Sequence, residues 1–138
     1  MDLYTNITIG TAASLAVGLL LRPIWTRLAF RDTTSSHWQP ITTRTEAWYL
    51  GAHAFAGASQ GFLFWLSWGL AALTIKSWWM HGLIVGSAYS LLFLVPIMFC
   101  CASVMRMSKQ VCWILLGETV SISVAVGVAC SWNWTHGR

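Results

Sequence analysis

Charge is scarce in this sequence. Of its 138 residues, 9% are Asp, Glu, Lys or Arg, while 57% are hydrophobic. A soluble domain carries about 25% charged residues, so this chain lacks the polar side chains to cover a water-facing surface, and its apolar faces must meet lipid. Runs of basic residues are also missing. The formal net charge of +4 comes from scattered Lys and Arg, which excludes a nucleic-acid footprint. The four cysteines, Cys100, Cys101, Cys112 and Cys130, form no C-x-x-C pair. They read as small apolar filler, and nothing clusters with them as a zinc or iron–sulfur site would require. No phosphate-binding Walker A loop, G-x-S-x-G nucleophile elbow or H-E-x-x-H zinc motif is expected, so no metal and no cofactor is implied. Strict polar–apolar alternation is absent too, which argues against a membrane β-barrel. The start, Met1-Asp2, has no basic region, and the first apolar run ends at Leu21-Arg22-Pro23 without a small-x-small cleavage site, so it reads as a retained helix.

What is present is a set of long apolar segments. About 20 apolar residues are needed to cross the hydrocarbon core, and four segments qualify: Leu3 to Leu21 (with an amphipathic continuation towards Phe30), Ala47 to Leu73, Trp78 to Met105, and Val111 to Trp132. The expected fold is all-α, a polytopic four-helix transmembrane bundle forming a single domain. A polar loop rich in Ser and Thr spans residues 31–45 and holds Pro40. The other links are short, at Lys76-Ser77 and at Arg106 to Gln110, so the second and third helices and the third and fourth are expected to pair as antiparallel neighbours. Pro96 is expected to kink the third helix.

The cations give an orientation. Arg22, Arg27, Arg31, Arg44, Arg106 and Lys109 fall on the side of the first and third loops, against Lys76 and Arg138 on the other. The positive-inside rule then makes loops one and three cytoplasmic and puts both termini opposite; the endoplasmic reticulum and the plasma membrane fit equally. Two sequons, Asn6-Ile7-Thr8 and Asn133-Trp134-Thr135, lie on that outer side as candidate glycosylation sites. The chain is tryptophan-rich, with ten. Trp25, Trp48, Trp78, Trp79, Trp113, Trp132 and Trp134 fall near helix ends, where indoles anchor at the membrane interface. Trp65 and Trp68 lie three residues apart inside the second helix. They either fill the bundle or line an aromatic cavity for a flat apolar ligand.

Glu118 is the one carboxylate inside an expected span. Burying an ionisable group there costs about 2.5–3.5 kcal/mol on insertion scales, so such a group faces the bundle with a partner or a task. Gly117, Ser121 and Ala125 form a small-x-x-x-small ridge beside it that would admit a close neighbour. His53 is its candidate partner: counted from the same side, the two reach similar depths of roughly 9–11 Å at 1.5 Å per residue. The pair is either an acid/base couple or an interhelical hydrogen-bonded lock. Gln60, seven residues beyond His53 on nearly the same face, joins Ser59 and Tyr89 as polar groups near mid-membrane. They line a common pocket or bond neighbouring helices. His81 and His136 read as solvated interface residues, and His37 falls in the long loop.

Three stretches resemble a known family. Gly18-Leu19-Leu20-Leu21-Arg22-Pro23-Ile24-Trp25 through Phe30 is similar to the end of its first helix. Gly82-Leu83-Ile84-Val85-Gly86 through Pro96 is similar to its third helix, and Arg106-Met107-Ser108-Lys109 through Trp132 to its basic link and last helix. The family is the small four-helix membrane family catalogued as domain of unknown function 1761. The last helix departs from it at Gly117-Glu118-Thr119, where the family often has Asn-Ala-Gly. The resemblance implies a fold and a membrane location and carries over no activity. From the residues themselves, the expected function is binding or conversion of a small apolar metabolite (a terpenoid, polyketide or sterol-like molecule) within the bilayer, as in secondary metabolism. Glu118 and His53 would be the acid/base pair, and Trp65, Trp68, Gln60 and Tyr89 would bind the substrate. The alternative is a non-catalytic subunit packing against larger membrane partners or further copies of itself.

Overall fold

The computed structural model describes residues 2–30, 43–71, 77–105 and 109–137, and among them all secondary structure is helical. The elements are α1 (Leu3–Phe30), α2 (Thr43–Ala71), α3 (Trp78–Tyr89), a π-helical turn (Ser90–Leu94), α4 (Val95–Met105) and α5 (Lys109–His136). Ser90 and Val95, at the two joints, both keep right-handed helical backbone, so α3, the π turn and α4 run on as one rod. The described residues thus make four rods. Three stretches, Leu3–Ile24, Trp78–Cys100 and Cys112–His136, are long and apolar enough to cross a membrane. α2 has the length, but Gly51, His53, Ser59 and Gln60 dilute its apolar character. The helices also outrun the apolar segments that announced them. α1 continues through Pro23 to Phe30, α2 begins at Thr43, inside the expected loop, and α5 extends from Lys109 to His136. Hydropathy marks where lipid begins, whereas backbone hydrogen bonding carries a helix on into polar surroundings. The rest of the expected long loop, residues 31–42, lies outside the described residues, as do residues 72–76 and 106–108 of the two short links.

Glycine sets the helix pairing. A Cβ on Gly10 would stand 2.5 Å from the Gly57 carbonyl oxygen, and one on Gly61 2.6 Å from the Asn6 carbonyl oxygen. The backbones of α1 and α2 therefore touch directly, in antiparallel register, with Asn6 facing Gly61 and Gly18 facing His53. α3 and α5 repeat the device: a Cβ on Gly82 would meet Val128 Cα at 2.6 Å, and one on Gly86 the Ser123 carbonyl oxygen at 2.6 Å. Between hydrocarbon-solvated helices no hydrophobic effect drives association, so close van der Waals contact at small residues takes its place. The two pairs join along α1 and α5, also antiparallel, where Cys130 Sγ lies 3.8 Å from the Asn6 carbonyl oxygen. α2 and α3, neighbours in sequence and expected to form a hairpin, hardly touch. Each already spends its glycine face on another helix.

Burial is inside-out relative to a water-soluble protein. Asn6, Ser14, Gln60, His81, Ser90, Glu118, Ser123 and Ser131 are buried, while Leu20, Phe55, Leu66, Leu92, Ile97 and Trp113 are exposed. The apolar core is small, built on Phe64, Ile122, Val126 and Cys130. Exposed Trp48 and Trp113 mark one end of the bundle, and exposed Trp79 and Trp132 the other. Trp113 and Trp132 are nineteen residues apart on α5. That is about 28 Å along the axis, close to the thickness of a hydrocarbon core, about 30 Å.

Near Pro96, where a kink is expected, the helix changes form. The π turn lies immediately before it, with the Val95 N–H donating to the Ser90 carbonyl, an i to i−5 bond. Proline has no N–H to return to the carbonyl four residues back, and a widened turn is one of the ways a helix absorbs such a break.

Candidate functional site

Two polar features stand out in the interior. The first is a cluster where α1, α2 and α5 meet. His53 Nε2 lies 3.5 Å from Glu118 Oε1, with both side chains largely buried. The expected juxtaposition of these residues is therefore present. Tyr49 completes it. Its hydroxyl donates to Glu118 Oε1 and lies 3.1 Å from the Gly18 carbonyl oxygen. A phenol has one proton to give, and the carboxylate oxygen is the stronger acceptor. Tyr49 and His53, four residues apart on one helix face, pack edge to face with ring centroids 4.2 Å apart. The Arg22 guanidinium sits 5.6 Å from the Tyr49 ring centroid, within cation–π range. Gly18 makes room for the imidazole, since a Cβ there would stand 3.1 Å from the ring. Ser14 Oγ donates to the His53 carbonyl at 2.7 Å. The sequence reading missed Tyr49 and Arg22; the spacing of Tyr49 from His53 was the available signal.

The close approach of α5 to α3 does not use the ridge expected beside Glu118. Ser121 is exposed and its hydroxyl donates back to the Gly117 carbonyl, while the close approach uses the face carrying Ser123 and Gly127. Ser121 and Ala125 instead line a shallow groove with Ala12 and Ala16 of α1.

The second feature is a cavity of about 400 Å³ between α2, α3 with its π turn, and α5. Gln60, Phe64, Tyr89, Leu92, Ser123 and Val126 are among its lining residues. It exists because α2 and α3 do not close on each other. Exposed Leu66 and Leu92, on α2 and the π turn, mark its open side. Gln60 and Tyr89, expected to share a pocket, do share this one. Trp65 stacks on Phe62, with ring centroids 6.4 Å apart, and is not a lining residue. The Trp68 side chain lies outside the described residues. Neither Glu118 nor His53 lines the cavity, so the carboxylate cluster and the cavity are separate places.

Further expectations need correction. His81 is buried, 2% exposed, with its ring 5.5 Å from that of Phe64; α5 and Phe64 cover a position that depth alone assigns to the interface. His136 is exposed and stacks on Trp132, as an interface residue would. Asn6 is 0% exposed, with Nδ2 3.5 Å from the Gly61 carbonyl oxygen, and Asn133 is also buried. Neither sequon has room for a glycan, because both asparagines sit within helices and turn towards the bundle. One motif expected to be absent is present as a spacing. Gly57-Ala58-Ser59-Gln60-Gly61 has the G-x-S-x-G spacing of a nucleophile elbow. It lies in mid-helix, without the strand and turn that expose such a serine, and Ser59 Oγ donates to the Ala56 carbonyl at 3.0 Å. Its glycines serve helix packing.

Fold and site together define a helical protein with three stretches fit to cross a bilayer, a buried carboxylate lock and an apolar-walled cavity. No protein-family model, no curated protein and no solved structure matches the chain.

Proposed function

We propose that this is a four-span integral membrane protein that takes a small apolar metabolite into the cavity between α2, α3 and α5. The observation that carries this reading is the cavity itself: about 400 Å³, walled mainly by apolar side chains, with a few polar groups set into it. Ligand pockets have this composition and run from roughly 300 to 1,000 Å³. The gap between α2 and α3 supplies lateral access from lipid. In this reading the Glu118–Tyr49–His53 cluster is the lock that fixes α2 against α5 and α1, and the pocket binds its ligand without acid/base chemistry from Glu118.

Ala88→Phe tests the pocket, because Ala88 is on its wall and a phenyl ring would fill it. Mass spectrometry of the protein purified in its native lipids is expected to find an apolar metabolite in fixed proportion to the protein. That signal should vanish in the variant at unchanged protein level. An identical small-molecule profile for the two proteins would dispose of the reading.

The groove of Ala12, Ala16, Ser121 and Ala125 on the outer face of α1 and α5 favours a second reading, a subunit that packs against a larger membrane partner or another copy of itself. Small residues at helical spacing admit a neighbouring helix. Copurification of a stoichiometric partner, lost on Ala125→Leu, would favour it over the first.

A further inference from the structure

Two residues of the cavity wall carry hydrogen-bonding groups with no partner among the described residues, Gln60 Nε2 and Ser123 Oγ. Gln60 is 6% exposed and Ser123 1%. Asn6 Oδ1 is likewise without a partner among the described residues, but it lies outside the cavity, at the α1–α2 contact. Other buried hydroxyls are engaged: Ser90 Oγ donates to the Gly86 carbonyl at 3.0 Å, and Ser131 Oγ to the Trp78 carbonyl at 2.6 Å. Ser121, on the same helix as Ser123, donates to the carbonyl four residues back at 2.7 Å. Buried polar groups in proteins are nearly always paired, and exceptions call for an explanation. In a hydrocarbon setting no bulk water stands in.

We infer that the ligand of this cavity is a hydrocarbon bearing one carbonyl oxygen, a ketone, aldehyde or ester, and that Gln60 Nε2 and Ser123 Oγ donate to that oxygen. The inference rests on the reading of the cavity as a ligand site and adds the chemistry of the ligand. An amide nitrogen only donates, and a hydroxyl has a proton to give, so an acceptor oxygen complements both. A carboxylate is a poor match, because no Lys, Arg or His lines the cavity among the described residues. The oxygen sits innermost, between α2 and α5, where both donors are buried. The hydrocarbon body points towards Leu66 and Leu92 on the open side.

The test compares geranylacetone, an isoprenoid ketone, with farnesene, an isoprenoid hydrocarbon of similar length, on the full chain in nanodiscs. Saturable binding is measured above lipid partitioning, and the ketone carbonyl stretch is read by infrared spectroscopy on isotopically labelled probe. The ketone is expected to bind about tenfold or more tightly than the hydrocarbon, since each donor left unpaired in a buried site is costly, with its carbonyl stretch moved to lower frequency. Ser123→Ala and Gln60→Leu each remove a donor without leaving another group unpaired. Each should reduce the ketone's advantage and the frequency shift while farnesene binding persists. Equal binding of the two probes with an unshifted carbonyl, the result if water satisfies both donors, overturns the carbonyl assignment and leaves the pocket standing. Saturable binding of neither probe overturns the assignment and counts equally against the pocket.

Discussion

Tyr49 and Glu118 are hydrogen-bonded between α2 and α5, the phenol donating to the carboxylate. The bond ties α2 directly to the last helix, at the level where Gly18 of α1 also approaches. It lies about 7.5 Å further along α5 than exposed Trp113, counting five residues at the helical rise, which is inside the region the tryptophans bracket.

Removing this bond should loosen the bundle measurably. Tyr49→Phe is expected to cost about 1 kcal/mol, in the range of interhelical hydrogen bonds measured in membranes. Glu118→Gln retains an acceptor and should cost less than Glu118→Leu. The double variant Tyr49→Phe/Glu118→Gln should cost less than the sum of the singles. Reversible unfolding in mixed micelles with added denaturing detergent gives all the values. A coupling energy near zero would mean the lock is idle.

Glycine positions in α2 should differ sharply. A Cβ on Gly57 would collide with the Gly10 carbonyl and come within 2.6 Å of Ser14 Cβ, whereas one on Gly51 meets nothing within 4 Å. Gly57→Ala is therefore expected to destabilise by about 1–3 kcal/mol, the usual cost of overpacking. Gly51→Ala should be neutral or gain up to about 1 kcal/mol of helix propensity. Equal effects in the same unfolding assay would refute the close α1–α2 contact.

The start of α1 should respond to acid. Asp2 Oδ1 accepts the Thr5 N–H at 2.8 Å, and the Thr5 side chain, together with this capping bond, holds the carboxyl below its ordinary value of 3.8. A carboxyl with a lowered folded-state pKa contributes its stabilisation fully above the unfolded value and loses it as pH falls through the folded one. Once corrected for the intrinsic pH dependence of exchange, protection of the Thr5 amide should thus be flat above about pH 5 and lost as the pH falls below the carboxyl's ordinary value of 3.8. Asp2→Asn, which keeps a capping oxygen, should remove the acid dependence.

Neither sequon should carry sugar. Expression with eukaryotic microsomes is expected to give a single band that endoglycosidase leaves unmoved. A glycan on Asn6 would be incompatible with the packing of α1 on α2.

Legibility in the sequence followed physical lines. Counting residues from helix ends gave depth, and depth brought Glu118 and His53 together. Tyr49 was passed over because it lies nearer the end of its helix, although it shares a face with His53. Small-x-x-x-small spacing occurs at Gly57/Gly61, at Gly82/Gly86 and at Gly117/Ser121, and spacing alone does not say which ridge finds a partner. The first two press against another backbone, while Ser121 of the third is exposed. His81 was misplaced for a related reason: depth is a property of one helix, and burial needs to know that Phe64 stands opposite. Pro96 announced a break, but not that the turn before it would widen and border a cavity.

Both glycine-sealed pairs join rods that follow one another in the chain, α1 with α2 and the α3–α4 rod with α5. The first pair can consequently assemble while the second half is still being synthesised, whereas the α3–α5 pair and the contacts of α1 and α2 with α5 wait for the last helix to emerge. The fold is thus two helix pairs that dock last, and a lesion where α1 and α2 meet α5 should leave halves that are each sound but unjoined.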